Sequence, residues 1–263
     1  MLHKQVKYDF LLNKITKKDL LFSGDYTLDP YQNCEFGCRY CDSSLDETIY
    51  IKTNAVQLLE EEIEIIKRGT IIIGSVHDPY QEIEKECRTT RNLLKIIKKH
   101  DFPCHILTKS NLILRDIDIL FTISKCIVTV SITTLNENKC DIFEENVPSS
   151  NERLQVVRKL SENGIRSGIA IMPILPYIVE DEFEDIVKAA SKYKADYILH
   201  KHLELKGDQK TVFLNTLERL DPSLLSIYQE LYKNSYMPNQ EYILKIKNTL
   251  RKLCTRYKLK YRI

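Results

Sequence analysis

The chain has 263 residues, 43% hydrophobic and 29% charged, with a net charge of +2; this suits a globular protein that buries a sizeable core in one large α/β domain or two small ones. No apolar run approaches a bilayer span and residues 1–9 lack a signal-peptide core, which argues against a membrane-spanning or exported protein. Eight cysteines without a regular disulfide framework fit a reducing cytosol, so a cytoplasmic location is expected.

After a polar lead-in, residues 26–31 read as a short strand. Thr53 or Asn54 can cap a helix over 54–67, with Val56, Leu59, Ile63 and Ile66 at helical spacing. The β-branched run 70–74 predicts a strand buried on both faces, and its end carries Ser75, His77 and Asp78. A helix over 83–99 follows, closed by Pro103 before the strand 104–107, which ends at Thr108, Lys109 and Ser110. A shorter helix spans 114–123, then the strand 127–131 and a loop through Pro148. Ser149 with Glu152 predicts a capping box, and Gly164 ends that helix. Residues 169–172 form a fifth strand, 181–193 a helix and 197–199 a sixth strand.

Strands alternating with helices predict a parallel sheet with right-handed crossovers. Nothing marks a domain boundary before about residue 205. The expected organisation is an α/β core over 1–205, with a helical extension over 206–263 packed on it and helices near 210–219, 222–233 and 240–256. Residues 241–263 hold eight Lys or Arg against the single acid Glu241. Such a face is most often solvated, but it can also track phosphates, which makes nucleic acid a candidate partner.

Between the first strand and the first helix, Cys34, Cys38 and Cys41 are spaced C-x3-C-x2-C around Gly37. Soft thiolates select zinc, copper(I) or iron–sulfur clusters. A closed site wants four protein ligands. Here the next cysteine, Cys87, lacks a C-x2-C partner, and the next histidine is His77. Three ligands and an open position suggest a metal site that does chemistry. The other readings are a binding protein closed by zinc on the three cysteines and His77, or simply buried cysteines.

The cysteine spacing, with Tyr40 before the last ligand, resembles the cluster motif of the radical S-adenosylmethionine (SAM) superfamily. That resemblance implies a partial (β/α)6 radical SAM barrel, a [4Fe-4S] cluster on Cys34, Cys38 and Cys41, SAM at the open iron, and an electron donor such as flavodoxin or ferredoxin. Residues 74–81, 108–110 and 114–116, with 130–132, 148–153 and 164–176, are similar to blocks of the spore photoproduct lyase-like subgroup over roughly residues 26–205. By this resemblance Lys109 and Ser131 hold the SAM carboxylate, His77 and Asp78 lie toward its amino end, and the backbone around Tyr40 meets the adenine. A compact lysine cation beside a serine hydroxyl suits a carboxylate. These residues also fall at the carboxyl ends of consecutive predicted strands, where parallel sheets bind ligands. Taken singly, Lys109 could be a strand-end lysine, Asp78 a helix cap and His77 a structural histidine; Arg115 and Asp116 are expected to pair structurally.

Two positions depart from the true lyases. Ser75 stands where their hydrogen-donating cysteine lies, and Asp42 replaces the aromatic after the last cluster ligand. A serine O–H bond is too strong to give a hydrogen atom readily to a carbon radical, so lyase repair chemistry is not expected. Cys87, Cys126 and Cys140 are other thiols whose default is structural. Only Cys254 follows residue 205, which speaks against auxiliary clusters. The expected activity is cleavage of SAM to a 5′-deoxyadenosyl radical that abstracts hydrogen from a substrate, either nucleic acid or a peptide or protein; the alternative is a cluster- or zinc-stabilised binding protein without turnover.

Overall fold

The computed structural model describes residues 1–17 and 19–263. Strands β1 (Leu2–Val6), β2 (Asn13–Lys14), β3 (Tyr26–Leu28), β4 (Tyr31–Gln32) and β5 (Thr48–Lys52) precede helix α1 (Ala55–Ile65). The series continues through β6 (Ile71–Ile73), α2 (Glu84–Cys87), α3 (Thr89–Lys99), β7 (Cys104–Thr108), α4 (Ile117–Leu120), β8 (Cys126–Ser131), α5 (Glu137–Phe143) and α6 (Ser150–Glu162). It ends with β9 (Arg166–Ile174), α7 (Phe183–Lys192), β10 (Tyr197–His202), α8 (Gly207–Leu220), α9 (Ser223–Leu231), α10 (Gln240–Arg256) and β11 (Lys260–Tyr261).

Strands β3, β6, β7, β8, β9 and β10 pair in that order, all parallel. Sequential order without reversal is the winding of a barrel rather than of a doubly wound sheet. β2 lies antiparallel at one edge and β11 parallel at the other, so the sheet stays open as a partial (β/α)6 barrel. Ile71, Ile73, Ile106 and Val128 are fully buried in the main core, each contributing about 1.5–3 kcal/mol by removal from water. Phe213, Leu217, Tyr228, Ile246 and Leu250, all beyond residue 205, belong to that same core cluster.

A separate cluster joins Ala170, Tyr197 and Leu199 with Leu21 and Phe22 of the lead-in. The Tyr197 ring lies so close over β9 that a Cβ on Gly168 would meet it at 2.6 Å. His105 reaches the Phe22 carbonyl through Nδ1 (3.2 Å) and the Thr129 hydroxyl through Nε2 (2.6 Å). A carbonyl only accepts, so Nδ1 carries the proton of a neutral ring.

Several elements differ from the sequence expectation. The helix over 83–99 breaks at Arg88, which takes φ 51°, because the Glu84 carboxylate turns back to accept from Thr90 N (2.9 Å) and Arg91 N (3.3 Å) and so starts α3 anew. Asn54 caps nothing; its amide pins the Tyr8 backbone at 3.0 and 2.8 Å. Val56 faces solvent, and Ala55 and Leu58 take its place in the core. The loop before Pro148 contains α5. The polar lead-in contributes β1 to a three-stranded sheet, β1-β5-β4. The capping box of Ser149 and Glu152 forms as expected.

Burial holds His77, His105, His200 and His202 at a pKa of about 4, below the ordinary 6.5 or so. The unfolded chain therefore takes up protons that the folded one refuses, and stability falls as pH drops from about 6.5 toward 4. Asp29 and Asp78, raised by burial, act in the opposite sense at the acid end. The expected melting temperature is level above pH 7 and declines on acidification to pH 5; a rise across that window would contradict the assignment.

Candidate cluster and SAM site

The loop after β4 is shaped by two left-handed residues, Asn33 (φ 67°) and Gly37 (φ 64°), and Gly37 supplies its turn at little steric cost. The loop backbone is held from two sides. Cys34 N donates to Ser43 O (2.8 Å) and Cys41 N to Cys38 O (3.1 Å) within it; Arg39 N donates to Phe143 O (2.9 Å), and Asn146 N to Phe36 O (3.0 Å), across to the segment after α5. Cys38 and Glu144 form an antiparallel bridge at the centre of that clamp.

All three thiols are free and line one cavity of about 670 Å³. Burial pushes Cys38 up to about 12, with Lys109 working the other way, and raises Cys34 as well. Neutral in themselves, the Cys34 and Cys38 thiols become ligands when a metal's charge draws off their protons. No fourth cysteine lines the cavity among the described residues, so the donor set fits a cluster that keeps one iron open.

Tyr40, Asp78, Lys109 and Ser131 line the same cavity; His77 does not. Instead His77 Nδ1 accepts from Asn33 N (3.1 Å), bracing the backbone just before Cys34, and the His77 main-chain N–H donates to Asp29 Oδ1 (3.3 Å). The His77 ring thus lies outside the wall that Tyr40, Asp78, Lys109 and Ser131 share, with its Nδ1 already engaged. Asp78 reaches the cavity but spends its carboxylate on the fold, accepting from the Thr108 hydroxyl (2.7 Å), Lys109 N (2.7 Å) and Tyr80 N (2.9 Å). Its turn begins at Gly74 (φ 83°), where a Cβ would meet Leu107 O at 2.5 Å. Asp78 thus fixes the β7 end that presents Lys109.

The Lys109 ammonium has no hydrogen-bond or ion-pair partner among the described residues and stands 5.7 Å from the centre of the Tyr40 ring. Burial opposes its charge, yet Cys38, Glu144 and Cys41 outweigh it and raise its pKa. The Ser131 hydroxyl donates to Met172 O (3.1 Å), so it must turn its proton to donate to a ligand. Arg115 pairs with Asp116 (2.8 Å) and Glu84 (2.6 Å), the structural role expected.

Sequence reasoning missed Glu144. Its carboxylate is fully buried against Arg153 at 2.7 Å and accepts from the hydroxyls of Tyr40 and Thr133. Burial opposes this charge, but Arg153, then Lys109 and the Tyr40 hydroxyl, hold the carboxyl below its usual value. Arg153 also donates to Ser131 O (3.0 Å). One buried pair therefore touches the elements carrying Tyr40, Cys38 and Ser131. The signal in the sequence was Arg153, four residues after the Ser149 cap and on the buried side of α6.

Cys87, Cys126 and Cys140 do not line the cavity. Cys126 faces Cys104 at 3.8 Å, and Cys140 lies against Ser150 and Arg153.

The radical SAM superfamily profile matches residues 28–190. The chain belongs to that superfamily, whose enzymes use a [4Fe-4S] cluster and SAM. Relatives include an uncharacterized protein of Methanocaldococcus jannaschii, 29% identical over 237 residues and 86% of each chain. Another, from Mycobacterium tuberculosis, is 24% identical over 81% of this chain and 69% of the relative. Among solved structures, spore photoproduct lyase complexed with dinucleoside spore photoproduct superposes with a TM-score of 0.76 at 15% identity, covering 97% of this chain and 79% of that one. Streptococcus suis SuiB bound to S-adenosylmethionine gives 0.52 at 16% identity, covering 74% and 47%. At these identities the likeness establishes the barrel fold. Among the described residues, no helix is long and apolar enough to cross a membrane.

Proposed function

We propose that Cys34, Cys38 and Cys41 hold the cluster, that Lys109 takes the SAM carboxylate with Ser131 beside it, and that SAM-derived radical chemistry acts on a substrate entering the same cavity. The observation that carries this reading is the unpaired Lys109 ammonium in one cavity with three free thiols. A cluster held there would, when reduced, supply the electron for cleavage of SAM to methionine and a 5′-deoxyadenosyl radical. The chain's own part is to bind, orient and shield. Asp78 and Thr108 fix the backbone from which Lys109 reaches inward. The Tyr40 ring flanks the ammonium, and its hydroxyl is tied to Glu144, so neither group swings freely. Buried cysteines away from the cavity are kept from quenching a radical within it.

Ser75 lines the cavity, which supports a reaction that does not use a thiol at that position. The test of the SAM assignment is Lys109→Met in cluster-loaded protein under anaerobic conditions. Loss of a charge-assisted hydrogen bond worth about 1.5–3 kcal/mol weakens SAM binding about ten- to hundredfold, read by equilibrium dialysis with iron content unchanged. Undiminished SAM affinity would remove Lys109 from the carboxylate site.

A further inference from the structure

We propose that Ser44, His202 and Gln209 form a substrate subsite in this cavity that reads the hydrogen-bonding edge of an uncharged nucleobase. The inference rests on the radical SAM reading of the cavity and adds the class of substrate to it.

Three residues lining the cavity carry buried polar atoms without a partner among the described residues. Both polar atoms of the Gln209 amide are unpaired although the residue is 1% exposed; both ring nitrogens of His202 are unpaired at 6% exposure; and the Ser44 hydroxyl is unpaired as well. Native proteins seldom leave such groups unmatched, and a cluster on one cavity calls for an explanation. The three come from separate elements. Ser44 closes the short turn that follows Cys41, His202 ends β10, and Gln209 stands in the first turn of α8, which packs on the Asp42–Ser44 turn. The subsite therefore borders the cluster loop, within reach of chemistry begun there.

Its chemistry selects the ligand. Gln209 and Ser44 are neutral, and burial keeps His202 neutral too. The nearby cations Lys201 and Lys206 are each already paired with Glu204, at 2.7 Å, so a phosphate or carboxylate would find no free charge on this wall. A glutamine amide offers a donor and an acceptor side by side, the complement of a base edge. Phe22, Pro173 and Leu203 line the same cavity and supply apolar surface for a flat ring. A cavity of about 670 Å³ has the dimensions of a small-molecule pocket and not of a duplex groove, so the base enters single-stranded or extruded from its stack.

Three ligands are titrated against cluster-loaded protein: SAM, a fluorescein-labelled single-stranded DNA of mixed sequence, and an Asn/Gln-rich peptide of similar length. The expected result is that wild type binds the DNA and that Gln209→Leu weakens it about tenfold or more, as loss of paired hydrogen bonds would, with SAM affinity within about twofold. Gln209→Leu should also melt no lower than wild type, since it removes unmatched polar atoms from the interior. Ser44→Ala, at a less buried position, provides the same reading should Gln209→Leu fail to fold. The proposal is overturned if SAM binding falls in parallel, which would assign the wall to the SAM adenine. Preference for the peptide, no DNA binding by wild type, or DNA binding indifferent to both substitutions would also overturn it. Wild type that carries its iron yet does not bind SAM would instead sink the reading of the cavity itself, whatever the DNA result.

Discussion

Arg153→Met is expected to lower stability by about 3–5 kcal/mol, the cost of stranding a buried carboxylate without its partner. Glu144 and Arg153 are both fully inaccessible and 2.7 Å apart. Lys109 also attracts Glu144 but forms no ion pair with it among the described residues, so it cannot replace the lost guanidinium. For a chain of this size the loss corresponds to a melting temperature lower by roughly 10 °C. Replacing both residues, as Glu144→Leu with Arg153→Met, should recover much of it, because an apolar pair removes the stranded charge. The double variant should still bind iron less firmly, since the Tyr40 hydroxyl loses its carboxylate acceptor. Calorimetry of the three proteins checks the sequence of effects; a single variant that melts within about 2 °C of wild type would show that the pair does not stabilise the clamp.

Cys38→Ala is expected to abolish cluster retention. Cys38 lies at the centre of the loop, bridged to Glu144, and on the proposed assignment its loss leaves two of the three sulfurs that would hold the cluster. The apolar volume removed is small, so the fold should survive with a cost of about 1 kcal/mol. The discriminating pattern is therefore a cooperative melt close to wild type together with iron and sulfide below detection after anaerobic reconstitution. The same outcome is expected for Cys34→Ala and Cys41→Ala. Iron retained at wild-type levels by any of the three would exclude that residue as a ligand.

Much of this site was legible because its signals are local. The C-x3-C-x2-C spacing brings three sulfurs together within one turn of loop, whatever surrounds it. β-branched runs mark strands buried on both faces, and in a parallel sheet that fixes the end at which Asp78, Lys109 and Ser131 emerge. What the sequence could not convey depends on distant pairing. His77 carries the right residue type at a strand end, but its ring nitrogen is claimed by the Asn33 backbone. Glu144 reads as one acid in a polar loop until Arg153 reaches it from α6. β1 has no hydrophobic alternation to announce it and is a strand because β5 pairs with it. Glu84, the first residue of α2, starts α3 anew by folding its carboxylate onto Thr90 and Arg91, an act that periodicity over 83–99 conceals. His202 and Gln209 come from the part of the chain with the least motif character, and only the shared cavity unites them with the cysteines.

The most direct measurement is the formation of 5′-deoxyadenosine by the reconstituted, chemically reduced protein with SAM under anaerobic conditions. The account predicts 5′-deoxyadenosine and methionine in equal amounts from wild type and neither from Cys38→Ala. Wild type carrying a full, reduced [4Fe-4S] cluster and bound SAM that releases no 5′-deoxyadenosine would contradict it.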